Sequence, residues 1–144
     1  MDDRTALLDL DQFLPYRLSR VSNRISQEIA RTYGERYDLS VTEWRVMAVL
    51  GRYPGLSARE VAGRTAMDKV AVSRAVSRLV QAGRLRRDVD CDDRRRLVLR
   101  LTPAGCKVYE RVAPMVLDTG NRLLAALDAD EQRQLMSLLA KLEP

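Results

Sequence analysis

Residues 68–83 have the sequence DKVAVSRAVSRLVQAG, and they decide the fold that the chain is expected to adopt. Asp68 is a favourable N-cap residue, because its carboxylate can accept a hydrogen bond from an unpaired backbone N–H of the first helical turn. Gly83 suits the left-handed backbone position that commonly follows a helix. Between them, apolar residues recur at helical spacing, at Val72, Val76, Leu79 and Val80. The stretch therefore predicts one amphipathic helix.

The opposite face of this predicted helix is polar and basic. It carries Lys69, Ser73, Arg74, Ser77 and Arg78. Taken alone, the pattern is equally typical of an ordinary surface helix and of a helix that presents a basic face to a partner. The sequences on either side of it favour the second interpretation.

A short helix is predicted immediately before this one. Ser57 and Glu60 have the spacing of a capping box, and Leu56 and Val61 lie at the positions of a hydrophobic staple. The pattern ends near Thr65, so three or four residues separate the two helices. A short helix, a tight turn and a longer basic helix are typical of a helix-turn-helix, whose second helix recognises DNA.

The periodicity changes from helical to alternating after Gly83, which predicts two strands. Leu85 and Val89 belong to the first. The second places Leu97, Leu99 and Leu101 on one face, with Val98 and Arg100 on the other. Between the strands, DVDCDDRRR (88–96) is highly charged and predicts an exposed hairpin tip. A helix-turn-helix followed by such a hairpin is a winged helix, whose tip arginines reach a phosphate or the minor groove.

Two helices are predicted before this unit. The first covers residues 12–37, with apolar residues three or four apart and Pro15 in its first turn. The second begins after Ser40, which forms a capping box with Glu43, with Leu39 and Trp44 as the staple. It ends before Pro54.

Two more helices are predicted after the hairpin. Thr102 caps the first of them, with Pro103 at the favoured first position. Pro114 lies inside it and removes a backbone hydrogen bond, which predicts a kink or break near residues 110–114. Asp128 and Glu131 form a capping box for the last helix.

The predicted fold is therefore mainly α with a small β-hairpin wing, in one continuous domain. Residues 39–102 form a winged helix-turn-helix, and residues 1–38 and 103–144 form a helical dimerisation region. The terminal helices carry more apolar surface than a small winged helix can cover, which favours a symmetric homodimer. The alternative is that they pack only on their own domain.

Composition narrows the function of the 144-residue chain. The net charge is +5, and residues 59–100 carry twelve basic and six acidic residues (+6), against 13 and 14 (−1) elsewhere. The concentrated positive charge favours an anionic partner.

With no histidine and two cysteines that lack CxxC spacing, most catalytic and metal sites are excluded, so we expect no enzyme, cofactor or metal. The acidic N-terminus and the lack of a long apolar run predict a cytoplasmic protein outside the membrane.

The chain resembles the MarR family of bacterial transcriptional regulators over nearly its whole length. The matching stretches are FLPYRLSRVSNRIS, LSVTEWRVMAVL, SAREVA, MDKVAVSRAVSRLVQAGRLRR and DCDDRRRLVLRLTPAG. The last, an Asp-x-x-Asp-Arg-Arg tip running into Leu-Thr-Pro-x-Gly, is the most specific. The resemblance implies an obligate dimer on palindromic double-stranded DNA, with repression relieved by a small ligand bound near the first, second and fifth helices.

Carried over residue by residue, the resemblance implies which side chains contact DNA. The base-contacting positions are Val70, Ala71, Ser73, Arg74 and Ser77, and the wing contacts are Arg94, Arg95 and Arg96. Lys69 and Arg78 share the basic helix face and are also expected to bind DNA, and Asp93 would orient the wing arginines. Val70 and Ala71 favour apolar contact with a thymine methyl over hydrogen bonding.

The resemblance also implies an effector pocket. Its expected lining is Phe13, Tyr16, Arg17, Trp44 and Met47, a mixture that would suit a small aromatic acid. As a single residue, however, Trp44 is more often part of the core than a ligand platform.

Other interpretations remain open on the sequence. A winged helix can be an architectural or protein-interaction module without sequence preference or ligand response. Asp90, Asp92 and Asp93 could form a metal site of an enzyme, although the three adjacent arginines make a cation site electrostatically poor. Cys91 beside arginines could be a redox switch or an incidental surface cysteine.

Overall fold

The computed structural model of the chain describes residues 7–144. A short 3-10 helix (Leu10–Gln12) is followed by α1 (Leu14–Tyr37), α2 (Val41–Arg52), α3 (Ala58–Thr65), α4 (Lys69–Gln81), β1 (Leu85–Val89), β2 (Leu97–Leu101), α5 (Pro103–Leu124) and α6 (Ala129–Leu142). The predicted fold class, mainly helical with a two-stranded antiparallel hairpin, is confirmed. Residues 1–6, part of the predicted dimerisation region 1–38, lie outside the described residues.

The predicted N-caps are all present. The side chains of Ser40, Ser57, Asp68, Thr102 and Asp128 each accept a hydrogen bond from a backbone N–H three residues later. The capping box is complete at Asp128, where Glu131 bonds back to the cap N–H (3.0 Å). At the other two predicted boxes, the glutamate side chain does not bond back to the cap N–H, so this part of the prediction is wrong. Glu43 accepts instead from the Ser40 hydroxyl (3.1 Å) and faces Arg78 of α4 (3.8 Å), and Glu60 pairs with Arg96.

The end of α4 turns directly into the hairpin. Gly83 has φ +74°, and its N–H donates to the Val80 carbonyl (3.0 Å), while the Arg84 N–H donates to the Leu79 carbonyl (2.9 Å). These two bonds form a Schellman motif, which confirms the left-handed position predicted for Gly83. The motif fixes the direction in which the chain leaves α4 for β1.

The hairpin pairs Leu85 with Leu101 at its root and Val89 with Leu97 near its tip. The two alternating faces of β2 do not separate buried from exposed residues, because Val98 and Leu99 are both buried while Leu97 is 55% exposed. The root of β2 packs against both α2 and α5 and is therefore covered on two sides. Leu97 lies beyond that cover.

The core lies where α1, α2, α4 and α5 meet. Trp44 is at its centre, with its ring 5.8 Å from that of Tyr33 and 5.7 Å from that of Tyr109. Met47 is fully buried in the same cluster. Trp44 is thus a core residue, which is the role that was predicted to be the more common one for it.

Of the kink or break predicted near residues 110–114, the break does not occur, because helix α5 continues through Pro114 from Pro103 to Leu124. Proline removes the bond that residue 114 would donate to the Glu110 carbonyl. Both residues are exposed, so water can satisfy that carbonyl, and α5 tolerates the loss.

The two ends of α5 predict opposite effects of the same substitution. A Cβ on buried Gly105 would lie 2.1 Å from the Arg84 carbonyl oxygen, which already accepts the Thr102 N–H (3.1 Å). We expect Gly105→Ala to lower the free energy of unfolding by about 1–3 kcal/mol. A Cβ on Gly120 would meet nothing within 4 Å, so Gly120→Ala should raise it by about 0.5–1 kcal/mol. Urea unfolding of both variants measures this, and equal effects would contradict the packing described.

The buried side chain of Tyr33 should make the free energy of unfolding depend on pH in the alkaline range. Burial raises its pKa from 10 to about 12, Arg45 opposes the shift and Glu43 adds to it. Between pH 10 and 12 the unfolded state releases the Tyr33 proton while the folded state keeps it. The stabilisation that Tyr33 gives the folded state is therefore complete below pH 10 and is lost as the pH rises towards 12. The loss is up to about 3 kcal/mol. The difference in unfolding free energy between the wild type and Tyr33→Phe should change by that amount between pH 9 and 12, and a constant difference would contradict it.

The terminal helices leave apolar side chains in solvent. Helix α6 has no buried residue. Exposed apolar residues near the start of the described chain, on α5 and on α6 are Leu7, Leu8, Leu10, Phe13, Leu14, Leu18, Val21, Leu117, Leu135, Met136, Leu138 and Leu142. Within residues 7–144, no helix combines the length and apolar character needed to cross a membrane.

Candidate nucleic-acid interface

Helix α4 presents a well-defined outer face. Its buried residues are Val72, Ala75, Val76 and Leu79. Helical geometry places Val70, Arg74, Ser77 and Gln81 on the opposite side, and all four are exposed. Lys69 and Ser73 are exposed beside them, whereas Ala71 is half-buried and donates its N–H to the Asp68 carboxylate (3.1 Å).

The structure divides the twelve basic residues of 59–100 into two groups. Six are held within the chain by a carboxylate, a backbone carbonyl or an aromatic ring. Arg64 lies 3.8 Å from the centre of the Tyr53 ring, Arg84 donates to the Tyr37 carbonyl (2.5 Å), and the other four, Arg78, Arg86, Arg96 and Arg100, pair with carboxylates. The remaining six are exposed and have no carboxylate partner within residues 7–144: Arg59, Lys69, Arg74, Arg87, Arg94 and Arg95. This second group is available to an anionic partner.

Two residues predicted to contact DNA are held by carboxylates. Arg78 lies 3.8 Å from the buried Glu43 of α2, although its own side chain is 71% exposed. Arg96 pairs with Glu60 of α3 and lies 3.5 Å from Asp90. Sequence periodicity could not show either contact, because each partner belongs to another element.

The wing tip is shaped by aspartates. Asp93 accepts a hydrogen bond from the backbone N–H of Arg95 (3.0 Å), and Asp90 accepts from that of Asp92 (3.2 Å). Asp93 therefore acts on the backbone that carries Arg95 and not on its guanidinium. Among the residues that the structure describes, no three carboxylates or thiols are grouped as metal ligands. Cys91 is exposed at this tip, and its redox role stays a prediction.

Three residues of this surface were missed on the sequence. Arg87 of β1 donates to the Ser77 hydroxyl (3.4 Å), so it extends the outer face of α4. The alternation of side chains along a strand, which puts Arg87 on the opposite face from Arg86, could have indicated this position. Arg59 and Lys69 line a groove of about 280 Å³ between the starts of α3 and α4. Gln81 follows Ser77 by four residues, a spacing that placed it on the same face.

The five side chains predicted to form an effector pocket do not meet in this protomer. Trp44 lines a cavity of about 260 Å³ between α1, α2 and α5 with Ser26, Ile29, Tyr33, Val41, Arg45 and Val116. Arg17 lines a separate groove near the start of α1, and Met47 is in the core. Tyr16 is ten residues before Ser26, the first cavity residue of α1, roughly 15 Å along the helix. Phe13 lies even farther from the cavity, just before α1 begins.

Of the described residues that line the cavity, one is cationic. Arg45 donates to the Ser26 hydroxyl (2.7 Å), and the aromatic rings of Tyr33 and Trp44 form part of the wall. A guanidinium beside aromatic and aliphatic groups can bind a small ring that carries a carboxylate. Helix α2, which supplies Arg45, also supplies the Glu43 that faces Arg78 of α4.

Known proteins resemble this chain along its length. The sequence profile of the MarR family matches residues 37–96. The HTH-type transcriptional regulator BilQ of Clostridium symbiosum is 33% identical over 93 residues, which is 65% of each chain, so the match spans just under two thirds of BilQ. The HTH-type transcriptional repressor Rv2887 of Mycobacterium tuberculosis is 29% identical over 92% of this chain and 94% of its own. The PcaV transcriptional regulator of Streptomyces coelicolor, solved in complex with its natural ligand, is 28% identical with a TM-score of 0.80, over 95% and 96% of the two chains.

Proposed function

Since this chain belongs to the MarR family of transcriptional regulators, we propose that it is a sequence-specific repressor that binds a palindromic operator as a homodimer. The observation that carries the proposal is a group of six exposed cations without carboxylate partners among residues 7–144. Arg74 lies on the outer face of α4, three others lie beside it and two lie at the wing tip: Arg59, Lys69 and Arg87, and Arg94 and Arg95. Polyanionic DNA matches such a surface. Residues 39–102 would bind DNA, and residues 1–38 and 103–144 would form the dimer. The proteins of this family are regulators and not enzymes.

The two parts of the surface would read DNA differently. Helix α4 enters the major groove, where Arg74 can bind a guanine edge and Val70 can contact a thymine methyl. Arg94 and Arg95 at the wing tip reach phosphates or the minor groove of the flanking DNA. Arg59, Lys69 and Arg87 border α4 and would contact phosphates. In the dimer the two α4 helices would lie about 34 Å apart, one turn of DNA.

The cavity beside Arg45 supports a ligand-responsive repressor. Its volume of about 260 Å³ is at the small end for ligand sites, which favours a single-ring aromatic acid. Arg45 would bind the carboxylate and Trp44 would contact the ring. A ligand there would displace α2, and α2 would transmit the shift to α4 through Glu43 and Arg78. PcaV, which is bound to its natural ligand, is a relative with the same fold.

Footprinting on fragments of the DNA upstream of its own gene tests the DNA proposal. One protected palindrome, with weak binding elsewhere, is expected. Uniform binding to all fragments would instead favour the architectural or protein-interaction module.

Arg45 offers a test of the ligand proposal. We expect aromatic carboxylates to release the protein from its operator, and Arg45→Ala to raise the concentration needed by about tenfold or more, because a hydrogen bond to a charged group is lost. Arg17→Ala, which removes an exposed arginine outside the cavity, is the matched control and should change nothing. The reverse result would move the ligand to the groove near the start of α1.

A further inference from the structure

Arg96 is at the base of the wing tip and joins it to α3. Its guanidinium pairs with Glu60 of α3 and lies 3.5 Å from the Asp90 carboxylate on the other side of the hairpin. Its carbonyl accepts the Asp90 N–H (2.9 Å), and its N–H donates to the Asp93 carbonyl (3.0 Å). We propose that Arg96 is a positioning residue that holds the wing against α3 and does not itself contact DNA. This inference rests on the DNA-binding function proposed above.

The position of this clamp determines how much of the wing is free to move. A second attachment lies at the root, where the Leu99 N–H donates to the Leu56 carbonyl (2.8 Å) and the Gly55 N–H donates to the Leu99 carbonyl (3.0 Å). Arg96 is three residues from Leu99, about 10 Å along a strand. With both attachments, residues 91–95 project beyond the clamp. Without the clamp, the projecting segment would be residues 89–97, because Val98 is buried.

A shorter projecting segment benefits DNA binding. Arg94 and Arg95 lie within it, so the clamp limits the positions that their guanidinium groups can sample before DNA is bound. Conformational freedom that is already lost in the free protein does not oppose binding. The clamp should therefore increase affinity through the tip arginines without adding a phosphate contact of its own.

Charge also argues against Arg96 as a DNA contact. It compensates two carboxylates, Glu60 and Asp90, which would face the polyanion unpaired if Arg96 moved to a phosphate. The side chains of Arg96, Glu60 and Asp90 are 36%, 41% and 20% exposed, so each is already partly enclosed by its neighbours. Arg94 and Arg95 have no carboxylate partner in the described part of the chain and need no such release.

The direction in which one substitution changes operator affinity distinguishes a positioning residue from a DNA contact. Glu60→Gln keeps the backbone N–H that bonds to the Ser57 cap and removes the charge that holds Arg96. If Arg96 positions the wing, operator affinity should fall roughly fivefold per half-site with an unchanged logarithmic salt slope. If Arg96 were a DNA contact, the substitution would free it and remove a repelling charge, so affinity and salt slope would both rise. Glu28→Gln, which breaks the exposed Glu28–Arg31 pair (3.0 Å) on α1, away from the wing, is the matched control. Operator affinity should be unchanged in this variant at concentrations where sedimentation shows it to be as dimeric as the wild type.

A spin label on Cys91 measures the wing directly in the free protein. Cys106 is also exposed and would first be replaced in a Cys106→Ser background. We expect Glu60→Gln to increase the mobility of the label, and Glu28→Gln to leave it unchanged. Unchanged mobility with a lowered melting temperature would show an ion pair that merely stabilises the fold and would overturn the proposal. Because this readout needs no DNA, it tests the clamp even if the wild type binds no operator, an outcome that would refute the proposed function alone.

Discussion

Replacing Arg74 by alanine is expected to weaken operator binding by about 1–3 kcal/mol per half-site and to leave binding to random DNA almost unchanged. Arg74 is exposed on the outer face of α4, and no carboxylate competes for it within the described residues. A guanidinium in that position can donate two hydrogen bonds to a guanine, so its loss should also relax preference at one base pair in each half-site. In a homodimer the effect occurs twice.

Titration of both DNAs at several salt concentrations measures this, with two comparisons. Arg64→Ala removes an arginine of the same basic segment that stacks on Tyr53, and it should leave sequence preference unchanged. Replacement of Arg94 or Arg95 should weaken operator and random DNA by similar factors and reduce the salt slope by roughly one per phosphate contact. If Arg74→Ala lowered both DNAs equally, or the wing variants spared random DNA, the roles of helix and wing would be assigned to the wrong elements.

Introducing charge on α6 is expected to abolish the dimer and, with it, tight operator binding. Leu138 and Leu142 are 57% and 62% exposed in the single chain, on a helix that has no buried residue. At ~1.5 kcal/mol for each buried leucine, the four copies in a dimer would contribute about 6 kcal/mol. Changing both to arginine should therefore raise the dimer dissociation constant by roughly four orders of magnitude. Each monomer would then reach one half-site.

Sedimentation at micromolar concentration, with circular dichroism, decides the outcome. The variant should be a folded monomer, because both side chains already lie in solvent within the single chain. Leu97→Arg, on the wing, replaces an equally exposed leucine (55%) and should leave the sedimentation of the dimer unchanged. A monomeric wild type, or a variant that still dimerises, would contradict the assignment of the terminal helices.

Several features of the fold could be predicted because they depend on neighbours within about four residues. A cap such as Ser57 or Thr102 bonds to an N–H three residues later, and the apolar spacing of residues 68–83 defines which face of α4 is buried whatever covers it. The hairpin and the left-handed Gly83 follow from equally local chemistry. The same local signals also indicated which face of α4 carries Arg74.

The selection among charged residues was decided by the tertiary structure. Arg96 and Arg94 are equivalent on the sequence, but Glu60, 36 residues away from Arg96, binds one and not the other. Arg84 is likewise held by the Tyr37 carbonyl 47 residues earlier, and Arg45 joins the cavity through Ser26 of α1. An ion pair or cavity wall depends on the distance between elements and not on their spacing along the chain. The sequence therefore determined the basic surface that we propose to face DNA, whereas packing determined which of its arginines are available.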